Sequence, residues 1–108
     1  MQNFIIKAAA LGLAILLSSG VSLAQGAAAA DTYKLKCQMC HGPDGLGNTP
    51  AGKAMKARPF NSPDVLKESD SDLTAVIVHG KNKMPAFSGK LTPDQIAQLV
   101  TFIHTLQN

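Results

Sequence analysis

The feature that most constrains this chain is the pentapeptide CQMCH at residues 37–41, which contains both of its cysteines and one of its three histidines. Two thiols separated by two residues can close a disulfide, bind a metal or attach a group covalently. A histidine directly after the second thiol adds a nitrogen ligand to the same short segment. The fold has to bring these three side chains together in one place.

The first 24 residues read as a secretory leader rather than as part of the fold. Lys7 forms a basic n-region, residues 8–17 (AAALGLAILL) form an apolar segment, and Ser22-Leu23-Ala24 is a small-x-small cleavage site before Gln25. The apolar segment is shorter than the roughly 20 residues of a membrane span. We therefore expect an exported, periplasmic protein that contacts a membrane only through partners or through an uncleaved leader.

The rest of the chain has room for one small domain. Residues 25–30 are Ala-rich and predict a flexible tail, which leaves residues 31–108 for the domain. A domain of this size has a marginal core and often recruits disulfides, a metal or a cofactor. The formal net charge is +3, Arg58 is the only arginine, and basic and aromatic residues do not alternate. This composition does not suggest a nucleic-acid partner.

The hydrophobic pattern predicts an all-α domain of three to five helices joined by irregular loops. The clearest helix runs from Pro93 to Leu106, because Thr92 and Gln95 form a capping-box pattern and Ile96, Leu99, Val100 and Ile103 form one apolar stripe. An earlier helix is predicted to end at Gly80, with Asp70 or Ser71 as its N-cap. A strand is the rival for that segment because of its β-branched residues.

Nearer the cysteines the pattern is less regular. Asp31 is a candidate cap for a short helix that carries Tyr33 and Cys37 on one side. The Gly- and Pro-dense residues 41–52 predict a loop, and residues 53–58 a helical turn.

Four interpretations of CQMCH compete. A thioredoxin-like dithiol expects a βαβ pattern nearby, and no convincing strand is present. A zinc site wants four ligands at matched spacing, yet there is no second cysteine pair. A structural disulfide can persist after export but leaves His41 as a coincidence. Covalent haem attachment explains the whole pattern, since each thiol can form a thioether with one haem vinyl group and His41 can ligate the iron.

A haem held by His41 is either open on its other face or closed by a second ligand. The candidates are Met39, Met55, Met84, His79 and His104. Met39 lies within the attachment segment, and Met55 follows His41 closely. Met84 lies in a predicted loop with Gly80, Pro85 and Gly89, far enough along the chain to reach the other face. We favour Met84, with Met55 and His79 as rivals.

The segments CQMCHGPDGLGN and KMPAFSGKLTPDQIAQLVTFIHTL resemble the class I cytochromes c, the small monohaem electron carriers of bacteria. The resemblance covers nearly all of residues 31–108. It implies a cytochrome c fold in which helices and loops wrap one haem c, attached through Cys37 and Cys40 with His41 and Met84 as axial ligands. It also implies crossing first and last helices, with Tyr33 and Phe102 as the aromatic pair at the crossing.

Two further roles follow from the resemblance alone. Pro50 would offer its backbone carbonyl to the free ring N–H of His41, which would orient the imidazole, with a simple loop proline as the alternative. Arg58 becomes a candidate to meet a haem propionate, with a solvated arginine as the alternative.

A haem with two protein ligands has no free site for a substrate, so the expected function is one-electron transfer and not enzymatic catalysis. The expected partners are redox proteins, namely an oxidase, reductase or dehydrogenase, docked transiently onto a monomer. Lys81, Lys83 and Lys90 are candidates to steer an acidic partner, with ordinary surface lysines as the alternative. Two alternatives stay open: an open-site haem sensor or peroxidase, and an electron-entry subunit of a larger complex.

Overall fold

The computed structural model describes Gly12 and residues 21–108, with side chains described from residue 23 onward. Six helices are present in this part of the chain: α1 (Val21–Lys36), α2 (Gln38–His41), α3 (Pro50–Met55), α4 (Pro63–Leu66), α5 (Asp70–His79) and α6 (Pro93–Thr105). Within residues 21–108 the only β pairing consists of two isolated bridges, Lys81 with Met84 and Ser88 with Leu91. The all-α prediction is confirmed, although three short helices of four to six residues raise the number above the expected three to five.

The N-terminal helix α1 is longer than the sequence predicted. Residues 25–30, expected to be a flexible tail, lie within α1, and Ala29 is buried. The helix predicted to carry Tyr33 is confirmed, but its predicted N-cap at Asp31 is wrong, because an alanine-rich stretch is a strong helix former and α1 packs against α6. Most of the predicted leader, residues 1–11 and 13–20, lies outside the described residues, and its expected cleavage site falls inside α1.

Side-chain caps set the starts of α5 and α6. In α6 the Thr92 hydroxyl accepts from the Gln95 amide and the Gln95 side chain accepts from the Thr92 amide, as the pattern predicted. In α5 the N-cap is Ser69 and not Asp70 or Ser71 as predicted, because Asp72 at the third helical position completes the same reciprocal pair. The helix prediction for this segment is confirmed and the strand alternative is excluded.

The prolines of the central segment begin helices rather than only breaking them. Pro50 is the first residue of α3 and Pro63 the first of α4, where the missing proline N–H costs no hydrogen bond. Residues 50–52, predicted as loop, are therefore helical, and the turn predicted at 53–58 ends at Lys56 in a left-handed conformation with φ 55°.

The core lies between α1, α5 and α6. The Tyr33 and Phe102 rings meet where α1 packs on α6, with centroids 5.0 Å apart, which confirms the predicted aromatic pair. None of the described helices combines the length and the apolar character needed to span a membrane. The buried apolar residues of the core are Tyr33, Phe60, Val65, Leu73, Ile77, Phe87, Leu91, Ile96, Leu99, Val100 and Ile103.

Candidate functional site

A cavity of about 430 Å³ opens beside this core, within the range of roughly 300–1,000 Å³ of small-molecule and cofactor pockets. Its lining comes from two segments that we call the His41 wall (residues 37–60) and the Met84 wall (residues 80–91), together with α1, α4, α5 and α6. Most of the lining is apolar, and it includes both cysteines, His41 and Met84.

The two cysteines lie side by side at one end of the His41 wall. Cys37 is the turn residue between α1 and α2, and Cys40 follows within α2. Both thiols are free and half-buried, and no disulfide joins them. Burial, and then the neighbouring Cys40, raises the pKa of Cys37 to about 11. Both thiols are therefore available for covalent attachment.

His41 ends α2 and is held by its backbone and by an aromatic ring. Its amide donates to the Cys37 carbonyl, and its carbonyl accepts from the Gly47 amide at 2.8 Å. The imidazole stacks on the Phe60 ring with centroids 4.7 Å apart and planes 27° apart. Burial, and then the positive charge of Arg58, lowers its pKa. The ring is therefore neutral near pH 7, and neutral imidazole is the form that binds a metal.

The predicted hydrogen bond from His41 to Pro50 is absent from this structure. The Nδ1 atom of His41 is buried and has no hydrogen-bond partner. Pro50 is exposed at the start of α3, where backbone carbonyls accept from amides four residues further along the helix. A buried imidazole nitrogen without a partner is a costly arrangement.

Polar contacts connect the His41 wall to its neighbours. The Tyr33 hydroxyl, whose pKa is raised by burial, donates to the Gly42 carbonyl at 2.5 Å. The Thr49 hydroxyl lies 2.6 Å from the Met39 carbonyl oxygen and accepts from the Gly52 amide at 2.8 Å. Sequence reasoning missed these contacts and also missed Phe60. Of these residues only Thr49 could have been identified from the sequence, because a threonine followed by a proline is typical of an N-cap and the first residue of a helix.

The Met84 wall is built from backbone contacts. The chain leaves α5 at Gly80 (φ 72°) and reverses in a tight turn in which the Met84 amide donates to the Lys81 carbonyl at 2.9 Å. It returns to the end of α5, where the Phe87 amide donates to the Ile77 carbonyl and the Ser88 amide to the Val78 carbonyl. Without these two contacts, the Ile77 and Val78 carbonyls would lack hydrogen-bond partners at the C-terminus of α5. Met84, between the two ends, is half-buried and lines the cavity.

The other predicted ligand candidates differ in their access to the cavity. Met55 lines it but is 50% exposed, whereas Met39 is 76% exposed and lies outside its lining. His79 is exposed and is also absent from the lining. His104 contacts Asp70 and Gln107 on the surface. The cavity therefore brings together His41 and two methionines, Met55 and Met84.

Arg58 lines the cavity but already has a partner. Its Nη1 atom lies 2.9 Å from a carboxylate oxygen of Glu68. The sequence offered a propionate or solvent as its partner and did not suggest Glu68. Among the described residues, no three His, Cys, Asp or Glu side chains are grouped so that they could hold a metal ion by themselves.

The donor set of the cavity fits a haem. Two adjacent free thiols can each form one thioether, a neutral imidazole can ligate iron, and a thioether sulfur faces the same space. The apolar walls suit a large, flat, mostly apolar ring.

Comparisons with known proteins agree with this chemistry. Residues 24–103 match the family model described as cytochrome c oxidase, cbb3-type, subunit III. The cytochrome c6 of Thermosynechococcus vestitus is 32% identical over 110 residues, covering 95% of this chain and 91% of that protein. The cytochrome c6 of Gloeothece citriformis is 35% identical over 74 residues, 66% of this chain and 62% of that protein.

Two more relatives extend the comparison. The cytochrome c subunit of a quinone-dependent alcohol dehydrogenase from Gluconacetobacter polyoxogenes is 35% identical over 88 residues, 70% of this chain but only 18% of that subunit. A solved structure described as KustC0563 c-type cytochrome superposes with a TM-score of 0.68 at 30% identity, covering 74% of this chain and 98% of the other. The chain belongs to the cytochrome c family, as a small class I c-type cytochrome that carries one covalent haem c.

Proposed function

We propose that this cytochrome is a one-electron carrier whose haem c is attached through Cys37 and Cys40 and ligated by His41 and Met84. The cofactor supplies the redox step, the change between ferrous and ferric iron. The observation that carries the proposal is the convergence of both thiols, His41 and Met84 on one apolar cavity. Since two axial ligands leave no position for a substrate, transfer of electrons is the chemistry that remains.

The residues around the site favour rapid and reversible electron exchange. The apolar side chains of α5 and α6 exclude water, and burial disfavours the extra positive charge of the oxidised state. Phe60 and the backbone of α2 hold His41 in one orientation, and the end of α5 holds the Met84 turn. Keeping the same two ligands in both redox states limits the rearrangement that accompanies each transfer.

A redox titration of the haem-loaded protein, followed by visible absorption, tests this function. We expect a reversible one-electron transition. We also expect the ferrous protein not to bind carbon monoxide in the absence of denaturant, because His41 and Met84 together would leave no open site on the iron. Binding of carbon monoxide under native conditions would contradict the proposal and would favour the open-site sensor or peroxidase.

Transient docking to redox proteins is proposed to occur near the mouth of the cavity. Lys81 and Lys83 contribute to the cavity lining, as do Lys36 and Lys56, whereas the ammonium of Lys90 lies 5.9 Å from the Phe87 ring centroid. Such a charged rim favours an acidic partner and speeds its encounter. We expect Lys81→Glu and Lys83→Glu to slow electron exchange with an acidic redox protein at low salt. Lys67→Glu, at an exposed position outside the lining, is the control.

A role as the electron-entry subunit of a larger complex is the second candidate. The family match to an oxidase subunit and the likeness to a dehydrogenase cytochrome subunit favour it. Purification from membranes together with an oxidase or dehydrogenase would support this role, whereas recovery as a free monomer would support the carrier. The predicted leader supports an exported, periplasmic location, which cell fractionation would test.

A further inference from the structure

The histidine near the C-terminus, His104, lies between two hydrogen-bond partners on different elements. Its Nε2 atom is 2.6 Å from an Asp70 carboxylate oxygen at the start of α5. Its Nδ1 atom is 2.6 Å from the side-chain oxygen of Gln107, just after α6. The same Gln107 donates from its Nε2 atom to the Phe60 carbonyl at 3.2 Å. A continuous chain of contacts therefore runs from α5 through the C-terminus to Phe60.

The direction of each hydrogen bond defines the charge of His104. Since the Gln107 amide group donates to Phe60, its oxygen faces His104 and can only accept. Asp70 also accepts. Both ring nitrogens must therefore donate, which requires the imidazolium form. The pKa of His104 is raised, first by the hydrogen bond to Asp70 and then by that to Gln107.

The far end of this chain of contacts is the ring that supports His41. Phe60 is 7% exposed, and its amide donates to the Gly45 carbonyl at 2.9 Å. A Cβ atom at Gly45 would lie 2.5 Å from the Phe60 ring, so the ring fits closely against that backbone. The same ring stacks on the His41 imidazole. The hydrogen bond from Gln107 to the Phe60 carbonyl therefore connects the C-terminal residues to the His41 wall.

We infer that Gln107, oriented by the charged His104, is a positioning residue for His41: its side-chain amide holds the Phe60 carbonyl and so keeps the Phe60 ring stacked on the imidazole. The inference rests on the proposed role of His41 as an iron ligand. Loss of the hydrogen bond would let Phe60 move and admit water beside His41. Because water stabilises the oxidised state, the reduction potential would fall.

Loss of the His104 charge would reverse the orientation of Gln107. Neutral His104 keeps one N–H for Asp70 and leaves an acceptor at Nδ1, which would attract the amide group of Gln107. The Gln107 oxygen would then face the Phe60 carbonyl, where two acceptors repel. The contact is therefore complete at and below the ordinary histidine pKa of about 6.5 and is lost as pH rises through the raised pKa of His104.

Asp70 is the charged side chain that faces His104 from α5. The Arg58 and Glu68 side chains, on the segment before α5, are paired with each other. The remaining charged side chains on the neighbouring elements form no ion pair or hydrogen bond with His104 among the described residues: Asp31, Lys34, Lys36, Lys67, Asp72 and Asp94.

The test compares Gln107→Ala and Gln107→Glu with wild type and with Asn108→Ala, all as haem-loaded proteins. Gln107→Glu keeps an acceptor for His104 but has no donor for Phe60. Asn108 donates to the Thr105 carbonyl and does not touch Phe60. The measurements are the paramagnetically shifted NMR resonances of the His41 ring and the reduction potential across the pH range around the His104 titration. Thermal unfolding verifies that each variant is folded.

We expect both Gln107 variants to shift the His41 resonances, to lower the potential and to lose the pH-dependent step that wild type shares with Asn108→Ala. His104→Gln should remove the same step. Wild-type behaviour in Gln107→Ala or in Gln107→Glu would overturn the inference, because the amide donor would then be unnecessary. Absence of His41 ligand resonances in wild type would instead overturn the proposed function.

Discussion

The two walls of the cavity are built in different ways. The His41 wall is held by side chains that reach it from several elements: the Tyr33 hydroxyl, the Thr49 hydroxyl and the stacked Phe60 ring. The Met84 wall is held by backbone hydrogen bonds within its own turn and to the end of α5, and of its side chains only Phe87 and Leu91 are buried in the core. Its residues around Met84, Lys81 to Lys83 and Pro85, are exposed. We therefore expect the Met84 wall to open first when the protein is destabilised.

The largest predicted effect concerns the His41 wall. Phe60→Ala removes a buried ring that touches both His41 and Tyr33, and we expect a loss of about 3–5 kcal/mol in the free energy of unfolding. Chemical denaturation of the haem-loaded protein measures it. Leu35→Ala, at a side chain that is 79% exposed, is the control and should change stability by less than about 0.5 kcal/mol. Similar free energies of unfolding for the two variants would show that Phe60 does not stabilise the His41 wall.

The next effect is expected in the Met84 wall and not in the His41 wall. A Cβ atom at Gly80 would lie 2.5 Å from the Met84 carbonyl oxygen, at a φ of 72° that favours glycine. We expect Gly80→Ala to cost about 1–3 kcal/mol and to weaken Met84 ligation while His41 ligation persists. Visible absorption of the ferric protein reports the loss of the sulfur ligand.

Gly89→Ala is the matched control for that variant. Gly89 also has a positive φ, of 76°, but a Cβ atom there would meet nothing within 4 Å. Its replacement should cost about 1 kcal/mol for the left-handed backbone and leave the Met84 ligand in place. If both alanines altered the spectrum equally, backbone strain in general would be responsible, rather than contact with Met84.

A smaller effect is expected at the polar support of the His41 wall. Thr49→Val removes the hydroxyl that caps α3 and contacts the backbone of α2, at a cost of about 1–2 kcal/mol. The side-chain shape is retained, so the change reports the hydrogen bonds. Thr101→Val, at an exposed position of α6 whose hydroxyl contacts only the Ala97 carbonyl, provides the comparison. Equal unfolding midpoints for the two variants would show that the hydroxyl of Thr49 contributes nothing specific.

The smallest effect is a pH dependence in α5, whose C-terminus carries the Met84 wall. Hydrogen bonds from the Ser69 amide, and then from its hydroxyl, lower the pKa of Asp72 below its usual value near 3.8. A lowered folded-state pKa means that the contribution is present above about pH 3.8 and is lost as pH falls further. We expect Asp72→Asn to be slightly less stable than wild type at pH 7 and equal to it in strong acid. A stability difference that persists in strong acid would show that the charge of Asp72 is not its cause.

The cysteine and histidine segment of the His41 wall and the start of α6 could be predicted from the sequence, because the signals are local. CQMCH places two thiols and an imidazole within one turn, and Thr92 with Gln95 defines the start of α6. The segment KMPAF, between two glycines, indicated a loop that carries Met84. Local spacing and caps were sufficient for these parts.

Contacts between distant residues could not be predicted in this way. Phe60 lies between prolines in a segment without periodicity, and only the folded chain shows that it stacks on His41. The pairing of Arg58 with Glu68 depends on where α4 turns the chain. The alanine-rich residues 25–30 carry no amphipathic pattern, so composition alone suggested a tail where α1 is helical.

We propose that Met84, on the wall with fewer side-chain hydrogen bonds, would hold the haem iron together with His41. The most direct test is the red sulfur-to-iron charge-transfer band in the visible spectrum of the ferric, haem-loaded protein, compared with Met84→Ala and Met55→Ala. Both methionines line the cavity, so the variants are matched. The account predicts that wild type and Met55→Ala show the band and that Met84→Ala loses it. An unchanged band in Met84→Ala, or its loss in Met55→Ala, would contradict the account.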